Sequence, residues 1–193
     1  MPLPYYARLS RRDKATYRRS DAITAVPLTD PARHVASLAA IEAGLADDDR
    51  GAVQRASRRL VADLCEELRG GKVIVRVLTR RPANATEELH GLYERESGTT
   101  PIIRVWMRTA AYKRPVAFRT FVRTLLHEVC HHLDYECLQL RDSLHTEGFF
   151  RRESSLVRQL VGPGKPRRRK APAPPSAPTK PRTRAQLSLF GAD

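Results

Sequence analysis

The run Leu125-Leu126-His127-Glu128-Val129-Cys130-His131-His132 constrains this chain more than any other segment. It contains His-Glu-x-x-His inside an apolar stretch. On a helix, residues four apart lie on one face, so the imidazoles of His127 and His131 stand one above the other and can share one Zn²⁺. Glu128 lies about 100° round the axis, placed to reach a metal-bound water without ligating the metal. Phe118, Val122, Leu125, Leu126, Val129, Cys130 and Leu133 gather on the side opposite the two histidines. The pattern therefore predicts a helix with one face in the core and the other in a site. His132 points about 140° from His127 and reads as a buried or flanking histidine.

A catalytic zinc takes three protein ligands and leaves a fourth position for water. Three residues are candidates for the third ligand: Asp134, Glu147 and His145. Asp134 is one turn beyond His131, but its short side chain on a straight helix points away from a metal centred on the histidines, which assigns it a supporting role. Glu147 remains an alternative. Ligand type favours His145, fourteen residues after His131 at the mouth of a new segment.

The stretch His127 to Phe149 resembles the SprT-like (Spartan-related) zinc metalloproteases. In that family a His-Glu-x-x-His helix is followed by a third zinc-binding histidine with an aromatic residue four positions later, and His127, Glu128, His131, His145 and Phe149 match these positions. Thr146 stands where the family commonly has Gly, and no four-cysteine zinc ribbon follows. The resemblance spans roughly Lys72 to Leu160 and implies that an edge strand holds an unfolded peptide beside the metal; Ile102 to Trp106 is the strand expected to do so, with Trp106 itself read as core.

Near the C-terminus, Gln186-Leu187-Ser188-Leu189-Phe190 is similar to the peptide by which bacterial proteins dock on the DNA polymerase sliding clamp. Gln186 can hydrogen-bond at a pocket rim while Leu187, Leu189 and Phe190 act as apolar anchors. From Pro163 to Arg184 there are seven prolines, eight Lys or Arg, no acid and no large apolar residue. Such a segment cannot build a core and reads as an extended, disordered linker. Its cluster Lys165, Arg167, Arg168, Arg169 and Lys170 is the expected contact with a DNA backbone.

The formal charge of +14, from 35 Lys and Arg against 21 Asp and Glu, agrees with a polyanionic partner. Arg8, Arg11, Arg12, Lys14, Arg18 and Arg19, interleaved with Tyr5, Tyr6 and Tyr17, form a basic N-terminal segment that either grips nucleic acid or frays. An arginine-rich start without an apolar stretch points away from export, and no membrane segment is visible. Cys65, Cys130 and Cys137 are odd in number and sit on apolar faces, which points to free thiols in a reducing cytoplasm, with nucleoid association implied by the charge.

The chain divides into a basic segment 1–28, a metallopeptidase-like domain 29–162, a linker 163–185 and a motif 186–190. Within the domain, Asp30-Pro31 predicts a helix to about Leu45. A second helix runs from about Gly51 to Arg69, stopped by Gly70-Gly71, and the two form a hairpin. Strands are expected at Lys72–Thr79, Glu88–Glu94 and Ile102–Met107, then the site helix from about Ala117 to Leu140 and a last helix from about Gly148 to Leu160. This order is an α+β fold, and a zincin-like core with a small sheet backing the metal helix. The chemistry expected is zinc-dependent peptide hydrolysis at or near DNA, with His127, His131 and His145 as ligands and Glu128 as general base. Arg151 and Arg152 are candidates for the oxyanion. Two rivals stand beside it: a non-catalytic, zinc-stabilised clamp or DNA adaptor with a closed four-ligand site, and an ImmA-type protease that cuts one repressor.

Overall fold

The computed structural model describes residues 4–80, 91–108 and 114–163. The basic linker from Gly164 and the clamp-like motif Gln186–Phe190 lie outside the described residues. Among the described residues five α-helices and three strands follow one another: α1 (Arg11–Ala22), α2 (Val35–Ala46), α3 (Arg50–Leu68), β1 (Ile74–Arg80), β2 (Gly91–Glu94), β3 (Ile102–Arg108), α4 (Phe118–Glu136) and α5 (Glu147–Val161). The class is α+β.

Local chemistry sets the boundaries. Asp30 accepts from the Arg33 N–H and Pro31 follows it, but the first turn is a 3₁₀ helix, Pro31–His34, before α2 begins. Asp49 caps α3 by accepting from the Ala52 N–H. The end of α3 differs from expectation in detail. Arg69, at φ 54°, makes the left-handed turn, while Gly70 is needed for packing, since a Cβ there would meet Leu133 Cδ2 at 2.9 Å. Helix α4 also ends earlier than expected, at Glu136, and the chain doubles back through Gln139 at φ 51° with Leu140 N–H bonded to Asp134 O. That reversal carries residues 141–146 back toward His131.

The sheet order is β1-β3-β2, with β1 parallel and β2 antiparallel to the central β3. Val75, Val77, Ile103, Val105 and Met107 share the buried face and join α2 to α5 in one core. Helix α4 packs across β2 and β3, and α3 covers β1. The expectation that Ile102–Trp106 is an edge strand is wrong: β3 inserts between the two earlier strands and is paired on both sides, parallel to β1 and antiparallel to β2. Trp106 is buried, as core. The outer side of β1 is closed by α3, where Gln54 Nε2 donates to Val75 O (2.7 Å) and Val77 N donates to Gln54 Oε1 (2.8 Å). Among the described residues this leaves β2 as the sheet edge beside α4.

The N-terminal segment packs against α5. Ser10 accepts from the Asp13 N–H and donates to its carboxylate, a cap that starts α1. Helix α1 packs on α5 through buried Tyr17 and Ser20, and the Tyr5 and Tyr6 rings lie edge-on to Tyr17 at 6.1 and 4.8 Å. The tyrosines are packing residues here, not free platforms for bases.

Candidate metal centre

Helix α4 and the loop before α5 bring His127, His131 and His145 together, with their ligand atoms within 4.8 Å of one another. His145 Nε2 lies 3.1 Å from both His127 Nε2 and His131 Nε2. Zinc–nitrogen bonds of about 2.0–2.1 Å in a tetrahedron separate the nitrogens by roughly 3.4 Å, so the spacing fits one ion.

The other ring nitrogens decide the tautomers. His127 Nδ1 faces Glu153 Oε2 at 3.0 Å, and a carboxylate only accepts, so Nδ1 carries the hydrogen. Ser143 Oγ donates to Asp134 Oδ2 at 2.8 Å, so it must accept from His131 Nδ1–H at 2.7 Å. Both histidines therefore present bare Nε2 lone pairs to the same point. This donor set fits a divalent metal with a preference for imidazole. Burial pushes His131 down to about 3 and lowers His145 as well, which keeps these rings neutral and ready to ligate at neutral pH.

Phe149, fully buried, contacts all three imidazoles, with centroids 5.0, 4.7 and 5.1 Å from His127, His131 and His145. The ring shields one side of the cluster. Thr146 accepts from the Phe149 N–H and so starts α5 directly behind His145.

Glu128 is buried in the floor of a cleft of about 600 Å³ that also holds the three histidines, Tyr93, Tyr135 and Arg123. Burial pushes its carboxyl up to about 7, with His127 opposing and Glu153 reinforcing the shift. A carboxyl near neutrality both accepts and returns a proton in one cycle. Glu153 behaves differently. Burial raises its pKa, but bonds from His127 and Arg123 outweigh burial and hold it below the usual carboxylate range.

No known family model matches this chain, and no curated protein or solved structure does either. The geometry of the cluster is therefore the firmest guide to what the chain does.

Several sequence expectations meet their positions. His132 is buried, with Nδ1 3.2 Å from Tyr93 Oη. Asp134 faces away from the cluster, bonded to Ser143 and to Arg152 Nη2 at 2.8 Å. Glu147 is exposed and paired with Arg151. Neither carboxylate joins the three histidines. The oxyanion candidates are corrected: Arg152 is buried against Asp134 and the Ser20 and Ile23 carbonyls, and Arg151 turns to Glu147, so neither reaches the cleft. Sequence reasoning missed Glu153, Ser143 and Gly91. Glu153 was legible, because it lies four residues after Phe149 on the same helical face.

Proposed function

We propose that this protein is a zinc-dependent metallopeptidase with a zincin-like core of the SprT-like kind, working on proteins at or near DNA. One observation carries the reading: three imidazoles bring their Nε2 atoms together at one point, in a cleft that also holds a buried carboxyl poised near neutrality. His127, His131 and His145 would hold the ion. Zinc, when bound, supplies Lewis acidity to the peptide carbonyl and to an attacking water.

The chain's own residues do the rest. Glu128 Oε takes the proton of the attacking water and delivers it to the departing amine. Glu153 and Ser143 hold the first two imidazoles in orientation through their Nδ1–H groups. The edge of β2, at Gly91 to Tyr93 on the cleft wall, offers backbone groups along which an extended peptide can lie. A substrate admitted as an extended strand must be locally unfolded, which suits damaged or trapped protein more than a folded one.

Proximity to DNA is supported by the excess of basic residues and by the cluster Lys165–Lys170 in the linker. The Gln186–Phe190 peptide provides recruitment to a sliding clamp. A cytoplasmic, nucleoid-associated location follows from those two partners, and no described helix is long and apolar enough to cross a membrane. The deciding experiment is metal analysis with hydrolysis of a DNA-bound protein, comparing wild type, Glu128→Gln and His145→Ala. Glu128→Gln should keep one zinc and lose hydrolysis, and His145→Ala should lose the metal. Equal metal loss in both would remove Glu128 from its role.

A further inference from the structure

Helix α1 and the turn before it carry Arg8, Arg11, Arg12, Lys14, Arg18 and Arg19 within twelve residues. Among the described residues none of these six forms an ion pair. Arg33, Arg104, Arg123 and Arg152 in the rest of the domain each face a carboxylate. The acids of the segment are engaged otherwise: Asp13 with Ser10 and, at 3.9 Å, Arg141, and Asp21 as acceptor of the Gly148 N–H. Lys14, Arg18 and Arg19 bond only neutral oxygens, those of Ala7, Tyr6, Leu138 and Gln139. Arg8, Arg11 and Arg12 are exposed, and among the described residues their side chains make no ion pair or hydrogen bond.

This placement is costly to the fold. Arg11 and Arg12 stand in the first turn of α1, at the positive end of its dipole, where cations are disfavoured. Lys14 is three residues from Arg11 and four from Arg18, spacings at which like charges destabilise a helix. An anionic partner offsets both costs.

The inward face of α1 is already used. Tyr17 and Ser20 are buried, and Gly148 approaches so closely that a Cβ on it would lie 2.6 Å from Ser20 O. No apolar side remains to enter a bilayer. Guanidinium groups suit the forked geometry of phosphate oxygens. The segment also touches the metal loop, since Tyr5 Oη donates to His145 O at 3.1 Å.

We propose that the outward arginine face of residues 8–18, centred on Arg8, Arg11 and Arg12, docks the phosphate backbone of nucleic acid without reading bases, beside the metal cleft. This deepens the DNA-proximal part of the proposed function and does not depend on peptide hydrolysis. The test uses the full chain and a triple variant, Arg8→Gln, Arg11→Gln, Arg12→Gln, with fluorescent oligodeoxythymidine over a salt series. The slope of log affinity against log salt should fall by about 2, at about 0.7 per lost cation, which is on the order of a hundredfold weaker binding near 0.1 M salt. Thermal stability should be equal to or above wild type, since the removed charges are costly to the helix. An unchanged slope overturns the proposal. So does loss of stability together with affinity, which would assign the arginines to the fold, or a loss confined to anionic phosphatidylserine vesicles. A reduced slope in a chain that hydrolyses nothing would sustain the docking face and defeat the peptidase reading alone.

Discussion

Gly91 on β2 lies directly against the Glu128 carboxyl: a Cβ on residue 91 would stand 2.7 Å from Glu128 Cγ and 2.8 Å from its Cδ. The strand that walls the cleft thus sets the position of the Glu128 carboxyl by lacking a side chain. Gly91→Ala should displace Glu128 and lower hydrolysis by about a hundredfold, the order expected for a displacement near 1 Å, while zinc content stays that of wild type. Steady-state rates beside metal analysis check this, and full activity in Gly91→Ala would show that Glu128 tolerates displacement.

Glu128 is also a stability cost. Its folded carboxyl titrates at about 7 against an ordinary 4.5, so the folded chain binds more protons than the unfolded chain between those values and loses stability as pH rises through them. Glu128→Gln abolishes that loss. In metal-free protein the variant should gain on wild type from about pH 4.5 to 7 and hold the gain above, by on the order of 3 kcal/mol. His131 works the other way: held at about 3 against an ordinary 6.5, it removes stability as pH falls through that window in both proteins. Denaturation midpoints across pH give the difference curve, and a flat difference would contradict the burial of a charged Glu128.

The bonds to the two Nδ1–H groups should be visible in metal affinity. Glu153→Gln weakens the partner of His127, and Ser143→Ala removes the partner of His131. Each is expected to lower zinc affinity by about 10- to 100-fold in chelator competition. Glu147→Ala, on an exposed residue paired with Arg151, should leave affinity unchanged. The opposite ranking would hand a ligand position to Glu147.

Arg152 joins three parts of the domain, through Asp134 on α4, Ser20 on α1 and the Ile23 carbonyl. Arg152→Ala strands a buried carboxylate whose pKa burial already raises against the pull of Arg152 and Ser143. The expected loss is about 3 to 5 kcal/mol, and chemical denaturation measures it. Proteolysis should also become faster within residues 4–23 of the variant, because the three bonds from Arg152 to Ser20 and Ile23 are gone.

The C-terminal peptide should act as a separable module. Leu189→Ala with Phe190→Ala removes the apolar anchors and should abolish binding to a bacterial sliding clamp, for which a roughly micromolar dissociation constant is expected by calorimetry. Zinc content and hydrolysis should be unchanged. A wild-type peptide that gives no heat with the clamp would remove recruitment from the proposed function.

The sequence by itself determined helix α4, because the four-residue spacing of His127 and His131 and the apolar residues opposite them satisfy one periodicity only. The helical hairpin and the strand positions were legible for the same reason, with Asp30 and Asp49 marking starts through local hydrogen bonds. His145 could be favoured by ligand type, but only the turn at Gln139 delivers its Nε2 to the pair on α4. Which strand is central, which carboxylate orients His127, and why residue 91 is glycine are long-range facts. Each depends on chain segments distant in sequence meeting in space, such as Gly91 with Glu128 and His127 with Glu153, and no local pattern encodes such a meeting. The N-terminal helix was hidden differently. Its Ser10 to Asp13 cap was readable, yet its charges are those of a frayed arm, and only packing of Tyr17 and Ser20 against α5 holds it in place.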